Sequence, residues 1–236
     1  MVSLALATEA RSQTTRGELS IEDRHPIAAA IDILTERHSA LISYEDAGYE
    51  HPDRNFEGVR GSPVDALLPG GGAFFVSYEI SAETDEPADL SSTLQDLLGE
   101  YDAAIGEACF HIEREGEFWH VVPTQFRSSE GVWTRQASLL DVSITVRDRT
   151  LTGDASLIAL AVAISDASGF PVVIGTMPRD LLRRHTGSLR TGSDNARMAL
   201  ENLLRSVDER LTWRIFYDPD ALAYSIDIRM VSAAVP

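Results

Sequence analysis

The sequence predicts an α+β fold of two related small sandwiches, each with two main helices packed on a mostly antiparallel sheet. Three observations carry this expectation. "HSALISYED" and "SGFPVVIGT" each follow a helix-like stretch and read as buried strands, and an offset of 130 carries Ile27 to Leu157, Leu34 to Ile164 and Tyr44 to Ile174. "SSTLQDLLGEY" and "NARMALENLLRSV" repeat one leucine spacing at an offset of 106. Each of these second helices then leads into two runs of alternating apolar and polar residues, the pattern of a hairpin with one buried face.

Taken in chain order, "ELSIED" alternates through Leu19 and Ile21 as a short strand does. A helix begins at Pro26, a residue suited to the first turn because its missing N–H has no intrahelical partner there. Ile27, Ile31 and Leu34 form its apolar face, and Ala40 to Tyr44 is the strand that follows. The change of offset from 130 to 106 makes the first half 24 residues longer between middle strand and second helix. That surplus, about residues 47–87, holds an extra strand in "PGGGAFFVSYEI" and the acidic run "AETDEPAD". The second helix opens on a Ser92/Gln95 capping box and carries Leu94, Leu97 and Leu98. Matching Phe110 and Ile112 to Val121 and Trp119 predicts a two-residue Glu115-Gly116 turn.

In the second half "LLDVSITV" reads as the strand, Asp154 as the cap of a helix striped by Leu157, Leu160, Ala161 and Ile164, and Gly169 as its terminator. Pro171 to Ile174 is the next strand, and Leu200, Leu203 and Leu204 mark the second helix. Leu211, Trp213 and Ile215 face Ile228, Ile226 and Tyr224 if Asp218 to Ala221 forms the turn. The expected organisation is a leader remnant or disordered tail over 1–16, a first domain over 17–136 and a second over 137–236.

Composition narrows the function. The 236 residues, 44% hydrophobic, suffice for two small cores. With 37 acidic against 20 basic residues the net charge is −17, which repels nucleic acid and anionic membrane surfaces. Up to Gln136 there are 25 acidic and 9 basic residues, net −16; beyond it 12 and 11, net −1. All 20 cations are arginine, so Schiff-base chemistry and a P-loop lysine are excluded. Cys109 stands alone, leaving no intramolecular disulfide and no cysteine cluster for zinc. Val2 to Ala7 looks like the end of a leader's apolar region with Ala5-Leu6-Ala7 as a small-x-small site, so export to the periplasm or beyond is expected. No run reaches the roughly 18 apolar residues a membrane span needs.

Several constellations invite chemistry. His111 and His120 are placed opposite each other on the face away from Phe110 and Trp119, flanked by Cys109 and Glu113. There they read either as half a metal site or as a cross-strand pair on a solvated face. "LPGGGAFF" lacks the lysine and helix of a phosphate cradle. Carboxylates crowd Tyr44 to Glu57 and Glu83 to Asp89, but none stand out as a facing pair. "PRDLLRRHTGSLRTG" sets Arg179, Arg183, Arg184, His185 and Arg190 in a loop equivalent to the acidic insertion, where they could dock on the first domain or remain independently solvated. No catalytic, cofactor-binding or metal-ligating residue is assigned, and no cofactor is implied.

The helix Leu157 to Gly169 followed by "FPVVIG", and then "ALENLLRSVDERLTWRIFYDPDALAYSIDI", resembles the short N-terminal domain of secretins and TonB-dependent outer-membrane receptors. The close match covers roughly the last 85 residues, on helix and hairpin signals. The chain is also similar to exported bacterial proteins that share "ISYED" and "HVVPTQ". The first half departs from the pattern with His38-Ser39 where the second has Ser168-Gly169. The resemblance implies a periplasmic binding or docking module with a protein partner in the envelope, and transfers no catalytic residue. The competing expectations are a small metal-dependent or carboxylate-based hydrolase in the first domain, and a structural domain that assembles with its own copies.

Overall fold

The structure is a computed structural model that describes residues 14–21, 23, 25–48, 74–81, 89–128 and 130–233. The leader-like Val2 to Ala7, the "LPGGG" stretch and the acidic run from Glu83 to Glu86 lie outside the described residues. The first half runs β1 (Thr14–Ile21), α1 (Pro26–His38), β2 (Leu41–Glu45), β3 (Phe74–Ser81), α2 (Leu90–Ala104), β4 (Ala108–Glu115) and β5 (Phe118–Arg127). A short β6 (Trp133–Arg135) and a 3-10 turn (Leu139–Asp141) lead into the second half. That half runs β7 (Ser143–Thr152), α3 (Gly153–Ser168), β8 (Val172–Ile174), α4 (Arg179–Arg184), β9 (Thr186–Asn195), α5 (Ala196–Arg205), β10 (Leu211–Asp218) and β11 (Ala223–Met230).

The fold is α+β on a mixed, mostly antiparallel set of strand pairs. Its central feature departs from the expectation of one sheet per half. The order β4-β5-β2-β10-β11-β8, with β6 also on β5, makes one seven-stranded sheet that crosses from the first half to the second where β2 lies parallel to β10. Two antiparallel ribbons, β1–β3 and β7–β9, stand apart from it. The strand expected as extra in the first half, β3, thus has a counterpart in β9, and the arginine segment expected as a loop forms α4 and the start of β9.

Within the first half β2 runs parallel to β5, with Ile42 opposite Trp119 and Tyr44 opposite Val121. Within the second, β8 runs parallel to β11, with Val172 opposite Tyr224 and Ile174 opposite Ile226. Paired residues share a face of a sheet and neighbours along a strand alternate. Ile42 and Tyr44 therefore point to one face, where α1 and α2 pack Ile27, Ile31, Leu34, Leu94 and Leu97 against them. Trp213, Ile215, Ile226 and Ile228 point to the other, under Leu157, Leu160 and Ile164 of α3 and Leu200 and Leu204 of α5. Two apolar cores result, on opposite faces of a shared sheet.

Local signals differ in detail. The cap of α2 is Asp89, which accepts from the Ser91 backbone N–H at 3.0 Å; Ser92 donates to Asp89 rather than forming a box with Gln95. Thr152, not Asp154, is the residue before α3, and Asp154 sits in the first turn, held by the Thr152 hydroxyl at 2.6 Å. "LLD" is a 3-10 turn and the strand begins after it. Both hairpins are two residues out of the expected register. Ile112 faces Val121 and Glu115 faces Phe118, so the turn is Gly116-Glu117; Trp213 faces Ile228 and Asp218 faces Ala223. The cause is backbone conformation: Gly116 at φ 62° and Leu222 at φ 49° place the left-handed residues inside these turns. A shift of two preserves which residues face the core. No helix among the described residues is long and apolar enough to cross a membrane.

Candidate functional site

The chemistry of the molecule concentrates where α5 of the second half lies over β2 and β5 of the first. Asn195 caps α5 by accepting from the Arg197 N–H at 2.8 Å, and the helical repeat then aligns Arg197, Glu201 and Arg205 along one flank. Beneath them β2 presents Ser43 and Glu45, and β5 presents Phe118 and His120.

At one end of this seam Arg197, 4% exposed, contacts Glu45 Oε1 at 2.6 Å and Asp141 at 3.1 Å, and donates to Ser138 Oγ at 2.9 Å. The Ser138 hydroxyl in turn donates to Glu45. Burial pushes the Glu45 carboxyl up, against the pull of the Arg197 guanidinium and the Ser138 hydrogen bond. Burial also works to lower Arg197, but the Glu45 and Asp141 carboxylates prevail and hold it above its ordinary value.

At the other end His120, 1% exposed, lies 5.3 Å from the ring of Trp213 and parallel to Phe118. Its Nδ1 is 2.6 Å from Ser43 Oγ and its Nε2 is 3.0 Å from Glu201 Oε1. Glu201 also meets Arg205 at 3.1 Å, and Arg205 lies over the Phe118 ring and donates to the Glu115 carbonyl at 3.2 Å. Glu115, His120 and Glu201 bring three ligand atoms within 4.8 Å of one another, a donor set suited to zinc or iron. The Arg205 cation, already on Glu201, opposes a metal ion there.

The opposite face has a matching bridge. Arg214 of β10, with no exposed side-chain surface, reaches Asp32 of α1 at 2.8 Å and donates to the Ile42 carbonyl at 2.6 Å. Burial lowers it to about 10, partly countered by Asp32. Beside β2, Asp46 accepts from the Tyr44 hydroxyl at 2.8 Å and faces His25 at 3.4 Å. Burial raises the Asp46 carboxyl, and burial with the Asp46 charge lifts the Tyr44 phenol well above its usual range.

The sequence-predicted groups are redistributed. His111 and His120 do not face each other: His111 is opposite Val122, half exposed and 2.6 Å from Glu113, while His120 is opposite Glu113 and buried under α5. The face expected to be solvated is covered by the second half. Cys109 is partly buried and free. Arg183 contacts Asp154 in its own half at 3.1 Å, and Arg184 donates to the Asp180 carbonyl. The arginines that do bridge the halves, Arg197, Arg205, Arg214 and Arg229, the last also on Asp32, escaped sequence reasoning. Arg197 and Glu201 are spaced four apart in phase with Leu200 and Leu204, the one signal that could have marked a charged flank on a packed face. A groove of about 390 Å³ between α3 and β7 is lined by Ile144, Val146, Leu151, Ala159, Val162 and Asp166 among others. It offers one carboxylate and no converging titratable groups. Comparison with known protein families, curated proteins and solved structures gave no match for this chain.

Proposed function

We propose that the chain is a duplicated, non-enzymatic docking module, exported to the cell envelope, that binds a partner protein along a strand edge. Export and the envelope rest on the resemblance to secretin and receptor N-terminal domains. Duplication is supported by the shared succession strand, helix, strand, strand, helix, hairpin in the two halves, to which the second adds the short α4 between β8 and β9, and by the like register of β2 on β5 and of β8 on β11. The observation that carries the docking reading is the outer edge of β8. It has no further strand neighbour among the described residues, and Val173, Phe170, Ile158 and Val162 around it are about half exposed. An open strand with apolar side chains beside it recruits another chain by adding backbone hydrogen bonds, with pockets for alternate side chains. The test is selection of phage-displayed peptides on the purified protein, expecting extended apolar sequences whose enrichment is lost in Val173→Arg. Enrichment indifferent to that substitution rejects the docking reading.

A second reading, a metal-dependent hydrolase, is favoured by the Glu115, His120 and Glu201 cluster. Stoichiometric zinc or iron in the purified protein, lost in His120→Gln, supports it; metal-free protein that also fails to take up added zinc excludes it.

A further inference from the structure

We infer that the partner at the β8 edge is the β4 edge of a second copy of this chain, so that molecules add head to tail and extend one sheet. The inference rests on the docking reading and on the duplication, and it takes the β2–β10 junction inside the chain as its template. Strands β5, β2 and β10 point one way and β4, β11 and β8 the other. The halves are thus related by a half-turn about a line running across the sheet, and a second such step is a translation. It brings the β4 of the next chain to β8 in the same parallel sense in which β10 meets β2.

The side chains agree with this placement. The offset of 130 carries the buried Ala28, Asp32, which meets Arg214 across the internal junction, and the buried Ser43 of β2 to Ile158, Val162 and Val173 respectively. These three are 51%, 55% and 53% exposed, so apolar groups lie uncovered where the template covers their counterparts. On the receiving side, Ile112 opposite Val121 corresponds to Ile215 opposite Ile226, which puts His111 in the place of Arg214. The bulge in β4, between Cys109 and Phe110, falls before this stretch and leaves it free to pair. Gln95 on α2 takes the place of Glu201 on α5 and is exposed. Charge sets the polarity: a first half of −16 repels another first half, whereas head-to-tail addition sets it against a half of −1. An interface between unlike surfaces grows into open filaments or closes as a ring.

Val162→Arg blocks the β8 end and Gln95→Arg the β4 end, both at exposed positions that leave the cores intact. Sedimentation over a concentration series should show the wild-type average mass rising at least about twofold, with each variant alone staying monomeric. Mixed, the variants should form a complex of two chains and stop, because each supplies one working end. A wild type that remains monomeric to its solubility limit overturns the inference, as does a mixture that remains monomeric. A monomeric wild type whose peptide enrichment is still lost in Val173→Arg sinks self-assembly alone; enrichment that survives the substitution sinks the docking reading beneath it.

Discussion

Arg214 stands in "LTWRIFYD", where alternation puts it on the side away from Trp213 and Ile215, and a strand read alone sends that side to water. In the molecule that side is closed by α1, and the guanidinium is held by Asp32, Thr35 and the Ile42 carbonyl. Replacing Arg214 by Leu removes one donor from Asp32, which keeps Arg229, and one from the Ile42 carbonyl, which keeps the Thr212 hydroxyl; urea unfolding should record a loss of about 1.5–3 kcal/mol, the worth of hydrogen bonds to a charged group. Asp46 gives a pH signature. Its folded carboxyl is raised by burial, so the folded state holds a proton that the unfolded state has already released. The contribution is present below the unfolded carboxyl value and is lost as pH rises through the raised one. Asp46→Asn should therefore flatten the decline in stability from mildly acidic to neutral pH, measured by denaturant midpoints in a pH series; an unchanged slope rejects the assignment. Glu45, Glu201 and His120 were illegible as a network for the reason that applies to Arg214: their partners lie on another half of the chain.

At the scale of elements, the helices and strands follow from local pattern, and their ends from backbone conformation. Ser39 and Gly169 occupy equivalent positions after α1 and α3, and both are left-handed, at φ 47° and φ 79°. A side chain in that region costs roughly 1–2 kcal/mol, which glycine avoids. Ser39→Gly should accordingly stabilise the protein by up to about 1 kcal/mol, once the added freedom of glycine in the unfolded chain is subtracted. Gly169→Ala should destabilise it by about 1 kcal/mol, since no atom lies near the new Cβ and only the backbone objects. Thermal midpoints of the two variants should move in opposite directions. The hairpins illustrate how far alternation reaches. It assigned Leu211, Trp213 and Ile215 to one buried face and could not choose between registers two residues apart, because both bury the same side chains.

Across the whole molecule, the halves are bound by strand pairing at β2–β10 and by one polar bridge on each face, Arg197 and Glu201 from α5 on one and Arg214 to Asp32 on the other. Unfolding one half would strip these buried charges of their partners, so the transition should be a single one. Tryptophan fluorescence and far-UV circular dichroism should give coincident denaturant curves; two separated transitions would mean that the bridges contribute little. Attraction between an acidic half and a near-neutral one was readable from composition, yet the contacts come from α5 and β10 rather than from Arg183 and Arg184. Hydrophobic spacing along the chain was enough to define an α+β fold and its paired helix and hairpin units, since periodicity records which side of each element must leave water. Which element does the covering is a property of three-dimensional packing: whether His120 meets solvent or α5, and whether one sheet or two results, depends on contacts between residues far apart in sequence, about which local periodicity carries no information.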